Sequence, residues 1–153
     1  MNLWMTRGVI HRLQPSEHIP HQPSHTASWR CVMGNVDVWR AGEDLAATYL
    51  SGIGWEVVER NWRCPAGELD IIAKEPGSPP VVVFCEVKCR RDRGFGDPLE
   101  SITATKVAKL RQLALHWLRG LDHPVPRIRF DGVGILLPRD SPPVITHVRG
   151  IGS

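Results

Sequence analysis

Residues Val81–Cys85, VVVFC, are five consecutive apolar positions rich in β-branching, inside the longer stretch Val81–Arg93, VVVFCEVKCRRDR. A short run of this kind between turn-forming residues belongs to a strand covered on both faces. That requirement alone excludes a one-faced antiparallel sheet and calls for layers above and below. The run then stops at Glu86 and Lys88. In an extended strand alternate side chains share a face. Val82, Phe84, Glu86, Lys88 and Arg90 therefore point one way, and Val83, Cys85, Val87 and Cys89 the other. A carboxylate and an amine at the end of a core strand are costly to bury without partners or a metal, so the pair marks a candidate site.

The rest of the chain supplies the layers. Trp39–Gly52, WRAGEDLAATYLSG, predicts a helix ended by Gly52 or Gly54. Glu43, Ala46, Ala47 and Leu50 form one stripe, and Asp44, Thr48 and Ser51 the solvent stripe. Glu43 serves either as a partner of the helix dipole or as a carboxylate aimed inward. Trp55–Asn61 and Gly67–Ala73 predict strands, with Glu68, Asp70 and Ile72 on one face of the second and Leu69, Ile71 and Ala73 on the other. The turn-rich Lys74–Pro80 then leads into the central strand, giving an antiparallel meander. Thr103–Leu118 predicts a second helix with Val107, Leu110, Ala114 and Trp117/Leu118 as its apolar stripe, capped by Thr103 or Ser101. Arg127–Leu137 and Val144–Val148 predict two more strands. Asp131 interrupts its strand as Glu86 does, and a structural pairing with arginine is the favoured role. The whole is an α/β domain over residues 35–150, a central mixed sheet of about five strands flanked by helices.

Residues 1–34 hold four of the seven histidines, several prolines and no periodic pattern, which predicts a disordered N-terminal extension. Met33 directly precedes the patterned region and is a candidate start of the native protein. No apolar run approaches the ~20 residues needed to cross a bilayer, and no cleavable leader is recognisable; the expectation is a cytoplasmic protein. Cys31, Cys64, Cys85 and Cys89 are then expected as thiols. Cys85 and Cys89, four residues apart on one strand, stand about 13 Å apart, too far for one zinc ion. Net charge is only +3, but arginine outnumbers lysine 15 to 4. Lys88, Arg90, Arg91 and Arg93 cluster beside the central strand, a basic rim suited to phosphates or simply a solvated loop.

Asp70 and Glu86 lie on neighbouring predicted strands. Two carboxylates brought together repel unless a cation lies between them, and oxygen ligands suit Mg²⁺ or Mn²⁺. Such an ion activates water and stabilises charge on phosphorus, while a lysine orients the water or neutralises developing charge. Phosphodiester hydrolysis is the reaction this set serves best.

GEDLAATYL, GWEVVERNWRCPAGELDIIA, VVFCEVKCRR, FGDPLESITATKVAKLRQLALHWL and RFDGVGI together resemble the YraN-like family of small bacterial proteins, over roughly residues 34–150. That family resembles the PD-(D/E)xK nuclease superfamily, with a site similar to that of archaeal Holliday-junction resolvases. The resemblance implies a restriction-endonuclease-like fold. It also implies Asp70 and Glu86 as metal ligands, Lys88 as the catalytic lysine, Glu43 as the helix acid completing the site, and Lys106 as a further polar group on the following helix. Leu69 stands where the motif has proline. A metal-dependent endonuclease acting on structured or branched nucleic acid, DNA before RNA, is the function implied, with a homodimer as the form in which resolvase-like enzymes commonly cut two strands. Two alternatives stand beside it. One is a non-catalytic nucleic-acid-binding protein that retains the fold. The other is an interaction protein whose Glu86–Lys88 pair is an exposed salt bridge worth ~0–1 kcal/mol.

Overall fold

A computed structural model describes residues 10–12, 35–91 and 97–152. In chain order the elements are β1 (Ile10–Arg12), α1 (Asn35–Gly52), β2 (Glu56–Cys64), β3 (Gly67–Glu75) and β4 (Val81–Arg90). A short 3₁₀ turn (Pro98–Ser101), α2 (Ala104–Arg119), β5 (Ile128–Leu136) and β6 (Val144–Arg149) complete the chain. The strands form one sheet in the order β1-β6-β5-β4-β3-β2. β4 and β5 pair in parallel and every other neighbour pair is antiparallel. The parallel pair needs a crossover, and α2 provides it. β1 lies within the stretch expected to be disordered and adds a sixth, edge strand to the five expected; the remainder of 1–34 lies outside the described residues.

The two helices cover opposite faces. Ala46, Ala47 and Leu50 of α1 pack with Ile71, Ala73, Val83, Cys85, Val87, Val133 and Ile135. Leu110, Leu113, Ala114 and Trp117 of α2 pack with Leu69, Ile72, Val82 and Phe84. The division of β4 is therefore the one its alternation dictates. Phe84 is fully buried between Trp117 and Phe130, where truncation to alanine costs ~3–5 kcal/mol.

Local chemistry sets the helix ends. Trp55 N–H donates to the Leu50 carbonyl and Gly54 N–H to that of Ser51, both at 3.0 Å, with Gly54 at φ 86°. This pair of bonds around a left-handed glycine is a Schellman stop. Thr103 Oγ1 accepts the Lys106 N–H at 3.3 Å and caps α2. α1 begins a turn earlier than the sequence predicts, at Asn35, and Val38 is buried. Gly42 lets α1 approach β4 closely, because a Cβ there would stand 2.5 Å from that of Cys89. Cys64, Cys85 and Cys89 are free thiols; Cys31 lies outside the described residues.

One departure from the expected pattern matters for the site. Leu69 and Ile71 are two apart yet pack in different layers, Leu69 under α2 and Ile71 under α1. Simple alternation would have put them together. Opposite this point β2 carries Asn61 at φ 52°, a left-handed residue that Asn tolerates better than most. Pairing keeps one register on both sides of Asn61, from Arg60–Ile71 to Trp62–Leu69, and the register shift of this pair lies further along, between Val57 and Glu59.

Candidate active site

The register between β3 and β4 runs from Glu75–Val81 to Ile71–Cys85 and stops there. One step further Asp70 would face Glu86. Beyond the stop, β4 pairs only with β5 and the start of β3 only with β2. The ladder is thus open on one side of β4 at the position where its apolar run ends. Asp70 closes the gap with its side chain: Oδ2 accepts the Val87 N–H at 2.7 Å, a bond that a strand carbonyl would otherwise supply.

Glu86 and Lys88 form a pair at 2.5 Å, with side chains only 20% and 13% exposed. The pair is thus enclosed rather than an exposed salt bridge. Glu43 projects from α1 and its Oε2 accepts from the Asn61 side-chain amide at 2.9 Å, so the left-handed residue of β2 also holds the helix acid. Burial, then the Glu86 charge, pushes Asp70 up to about 7; the Val87 N–H and Lys88 pull it back, and the Glu43 charge raises it further. Four groups from one strand and a helix therefore act on one carboxylate, and the three charged ones are those the sequence singles out. The second oxygens of the three carboxylates lack a protein donor among the described residues.

Hard oxygen donors of this kind suit Mg²⁺ or Mn²⁺. Among the described residues, no group of three or more His, Cys, Asp or Glu side chains is placed to hold a metal ion between them. Mg²⁺ rarely needs one: one or two carboxylates, waters and substrate phosphates usually suffice. The donor types of Asp70, Glu86 and Glu43 are of the kind that suits such an ion.

Other expected residues stand further out. Lys106 is exposed in the first turn of α2 and makes no ion pair with the acids among the described residues. Arg90 ends β4, where its carbonyl accepts the Leu137 N–H at 2.7 Å, and Arg91 is exposed beyond it. Arg93 lies outside the described residues.

Sequence reasoning misses three parts of this region. Asn61 is one. The second is the pair Gly132 and Gly134, which lie beside Glu86 and Lys88 in the β4–β5 register. A Cβ on Gly134 would meet Leu99 at 2.9 Å, and one on Gly132 would meet Ile102 at 3.0 Å; the bare backbone lets the 3₁₀ turn form a wall beside the acid and the lysine. The G-x-G spacing in RFDGVGIL carries that signal. The third is Trp39, one helical turn before Glu43, whose ring centroid lies 5.7 Å from Lys88 Nζ.

Asp131 belongs elsewhere. Fully buried, it accepts from Arg129 Nε and Nη2 at 2.8 and 3.0 Å, from His147 Nε2 at 2.9 Å and from the Gly150 N–H at 3.0 Å. Arg129 and Arg149 also bind Glu75, and both guanidinium groups lie over Trp55. Burial alone would raise the carboxyls of Asp131 and Glu75, but these donors outweigh it and hold both below the usual range. The network ties β3, β5 and β6 together, the structural pairing with arginine that the sequence favours.

No helix among the described residues is long and apolar enough to cross a membrane. The chain is 48% identical over 113 residues to a UPF0102 protein of Streptomyces griseus subsp. griseus, covering 73% of this chain and 92% of that one. It is 44% identical over 137 residues to a UPF0102 protein of Acidothermus cellulolyticus, covering 82% and 96%. A Nocardia farcinica UPF0102 protein shares 47% over 110 residues, covering 72% and 84%. The model of the same family matches residues 42–135, a span that holds Glu43, Asp70, Glu86, Lys88 and both strand glycines. With relatives of this identity spanning most of both chains, the protein belongs to the uncharacterised protein family UPF0102.

Proposed function

We propose that this chain is a metal-dependent endonuclease of the restriction-endonuclease-like, PD-(D/E)xK type, hydrolysing phosphodiester bonds in structured or branched DNA. The observation that carries the reading is the Asp70 carboxylate set into the opening between β3 and β4, with Glu86, Lys88 and Glu43 all bearing on it. A fold gains nothing in stability from enclosing Asp70 and Glu86 where the β3–β4 ladder ends; a cation-dependent reaction gives them a use.

In this reading Asp70 and Glu86 hold Mg²⁺ or Mn²⁺ and Glu43 completes the acidic set. The ion supplies an activated water and charge neutralisation at phosphorus. Lys88 shares a hydrogen bond with Glu86. Released from it, the ammonium donates to a phosphate oxygen or orients the water, and the partly enclosed site strengthens that contact. Arg90, Arg91, Arg93 and Lys106 contribute phosphate contacts along the DNA, and a homodimer would bring two such sites to a junction.

The test is a cleavage screen over duplex, flapped and four-way DNA with Mn²⁺ or Mg²⁺, run beside Asp70→Ala and Lys88→Ala. Removing the lysine is expected to lower the rate by about 10²–10⁴-fold with the far-ultraviolet dichroism unchanged. Cleavage that survives either substitution, or that persists in chelator, refutes the assignment.

A further inference from the structure

The indole of Trp39 is the part of this region that the proposed hydrolysis leaves unused. Trp39 is 51% exposed, the only aromatic among the large hydrophobic side chains exposed on the described residues. Ile53, Val58, Leu115 and Ile128 share that exposure, and single aliphatic side chains at a surface need no explanation. Trp39 differs in its placement. It lies four residues before Glu43, on the same side of α1, and its ring sits over the Lys88 ammonium at 5.7 Å. One face of the indole thus looks onto the amine that would meet the scissile phosphate, and about half of the residue's surface is open to solvent.

We infer that Trp39 is a stacking platform for an unpaired nucleobase of the nucleotide next to the phosphate held at Lys88. The inference rests on the nuclease reading in requiring a nucleic acid at this site. It deepens that reading by naming the substrate class: strands in which a base is free to leave its stack, such as single strands, flaps and junction arms, in preference to continuous duplex. A flat aromatic surface accepts any base, since every base has a π-face. A lysine already placed against the ring adds a positive contact for the phosphate one sugar away. Intact duplex keeps its bases stacked on one another, and extruding one costs a few kcal/mol, so Trp39 has little to offer it. Shape selectivity then follows from a single side chain, without any base-specific hydrogen bond.

The test uses the full chain without divalent metal, so that binding is read apart from cleavage. Fluorescent single-stranded, flapped and blunt duplex oligonucleotides are titrated with wild type, Trp39→Phe and Trp39→Ala, and thermal midpoints verify that all three are folded. Trp39→Ala is expected to weaken single-strand and flap binding about 10–100-fold and to leave duplex binding unchanged. Trp39→Phe, which keeps a ring, is expected to stay within about threefold of wild type on every substrate. An abasic nucleotide walked along the strand should weaken wild-type binding at one position and leave Trp39→Ala indifferent there. If wild type binds single strands and Trp39→Ala binds them equally well, the platform is refuted and the nuclease reading stands. The platform is refuted in the same way if the alanine variant loses duplex and single strand alike. If wild type binds no nucleic acid of any shape, both fall together.

Discussion

Substituting Asp131 by asparagine keeps the volume of the side chain and removes one buried charge. Among Glu75, Asp131, Arg129 and Arg149 the formal charges sum to zero; in the variant they sum to +1, with Arg129 largely enclosed against Trp55. Asp131 also takes four donated hydrogen bonds. An amide offers one oxygen where two served and sets its NH₂ against donors. Breaking one side of a buried pair costs ~3–5 kcal/mol, against a total stability of about 5–15 kcal/mol for a domain. The expected outcome is a fall in thermal midpoint of roughly 10–20 °C and a matching loss in urea unfolding at pH 7. Because Asp131 is held below its unfolded value near 3.8, its contribution is complete above that value and disappears as pH falls through the folded one. The gap between wild type and variant should therefore close in strong acid. Lys74→Ala, at an exposed pair with Glu56 separated by 3.9 Å, serves as control and should cost under about 1 kcal/mol. A loss below ~1 kcal/mol for Asp131→Asn, or a gap that widens in acid, refutes the account of this network.

Further outcomes follow from the site and its supports. Asn61→Gly keeps the left-handed backbone but frees Glu43; folding should survive while any metal-dependent cleavage falls. Asn61→Ala adds a backbone penalty of ~1–2 kcal/mol, readable by denaturation. In chelator, Asp70→Asn should be more stable than wild type at pH 8 to 9. The buried acid favours the folded state fully below about 3.8 and loses that contribution as pH rises through about 7; equal stability at both ends of that range would count against it. Gly42→Ala places a Cβ 2.5 Å from that of Cys89 and should cost ~1–3 kcal/mol through overpacking, measured by urea midpoint. Gly134→Ala pushes on Leu99 at 2.9 Å, and Leu99→Ala in the same chain should restore whatever stability it loses.

Much of this could be read in the chain because the relevant signals are local. Five apolar residues in a row marked β4 as central, and alternation assigned each of its side chains to the correct layer. The stripe of Glu43, Ala46, Ala47 and Leu50 likewise aimed α1 correctly. What escaped was the effect of one strand on another. Leu69 lies opposite to its alternation, and Asn61, across from this point, has a left-handed backbone that an asparagine within a strand pattern does not announce by itself. Gly132 and Gly134 are informative only once register sets them beside Glu86 and Lys88. Trp39 looks like the first residue of a helix until the end of β4 is known to lie beneath it.

The bond from the Val87 amide to Asp70 has a practical consequence. Most protons along a sheet report on neutral carbonyls and are indifferent to what happens in a cleft. This one terminates on an ionisable group at the heart of the site, so its nuclear resonance frequency should move whenever that oxygen gains a proton or binds a cation. The fold thereby carries its own indicator, and occupancy of the acidic cluster can be followed on ¹⁵N-labelled protein with no dye, substrate or turnover required.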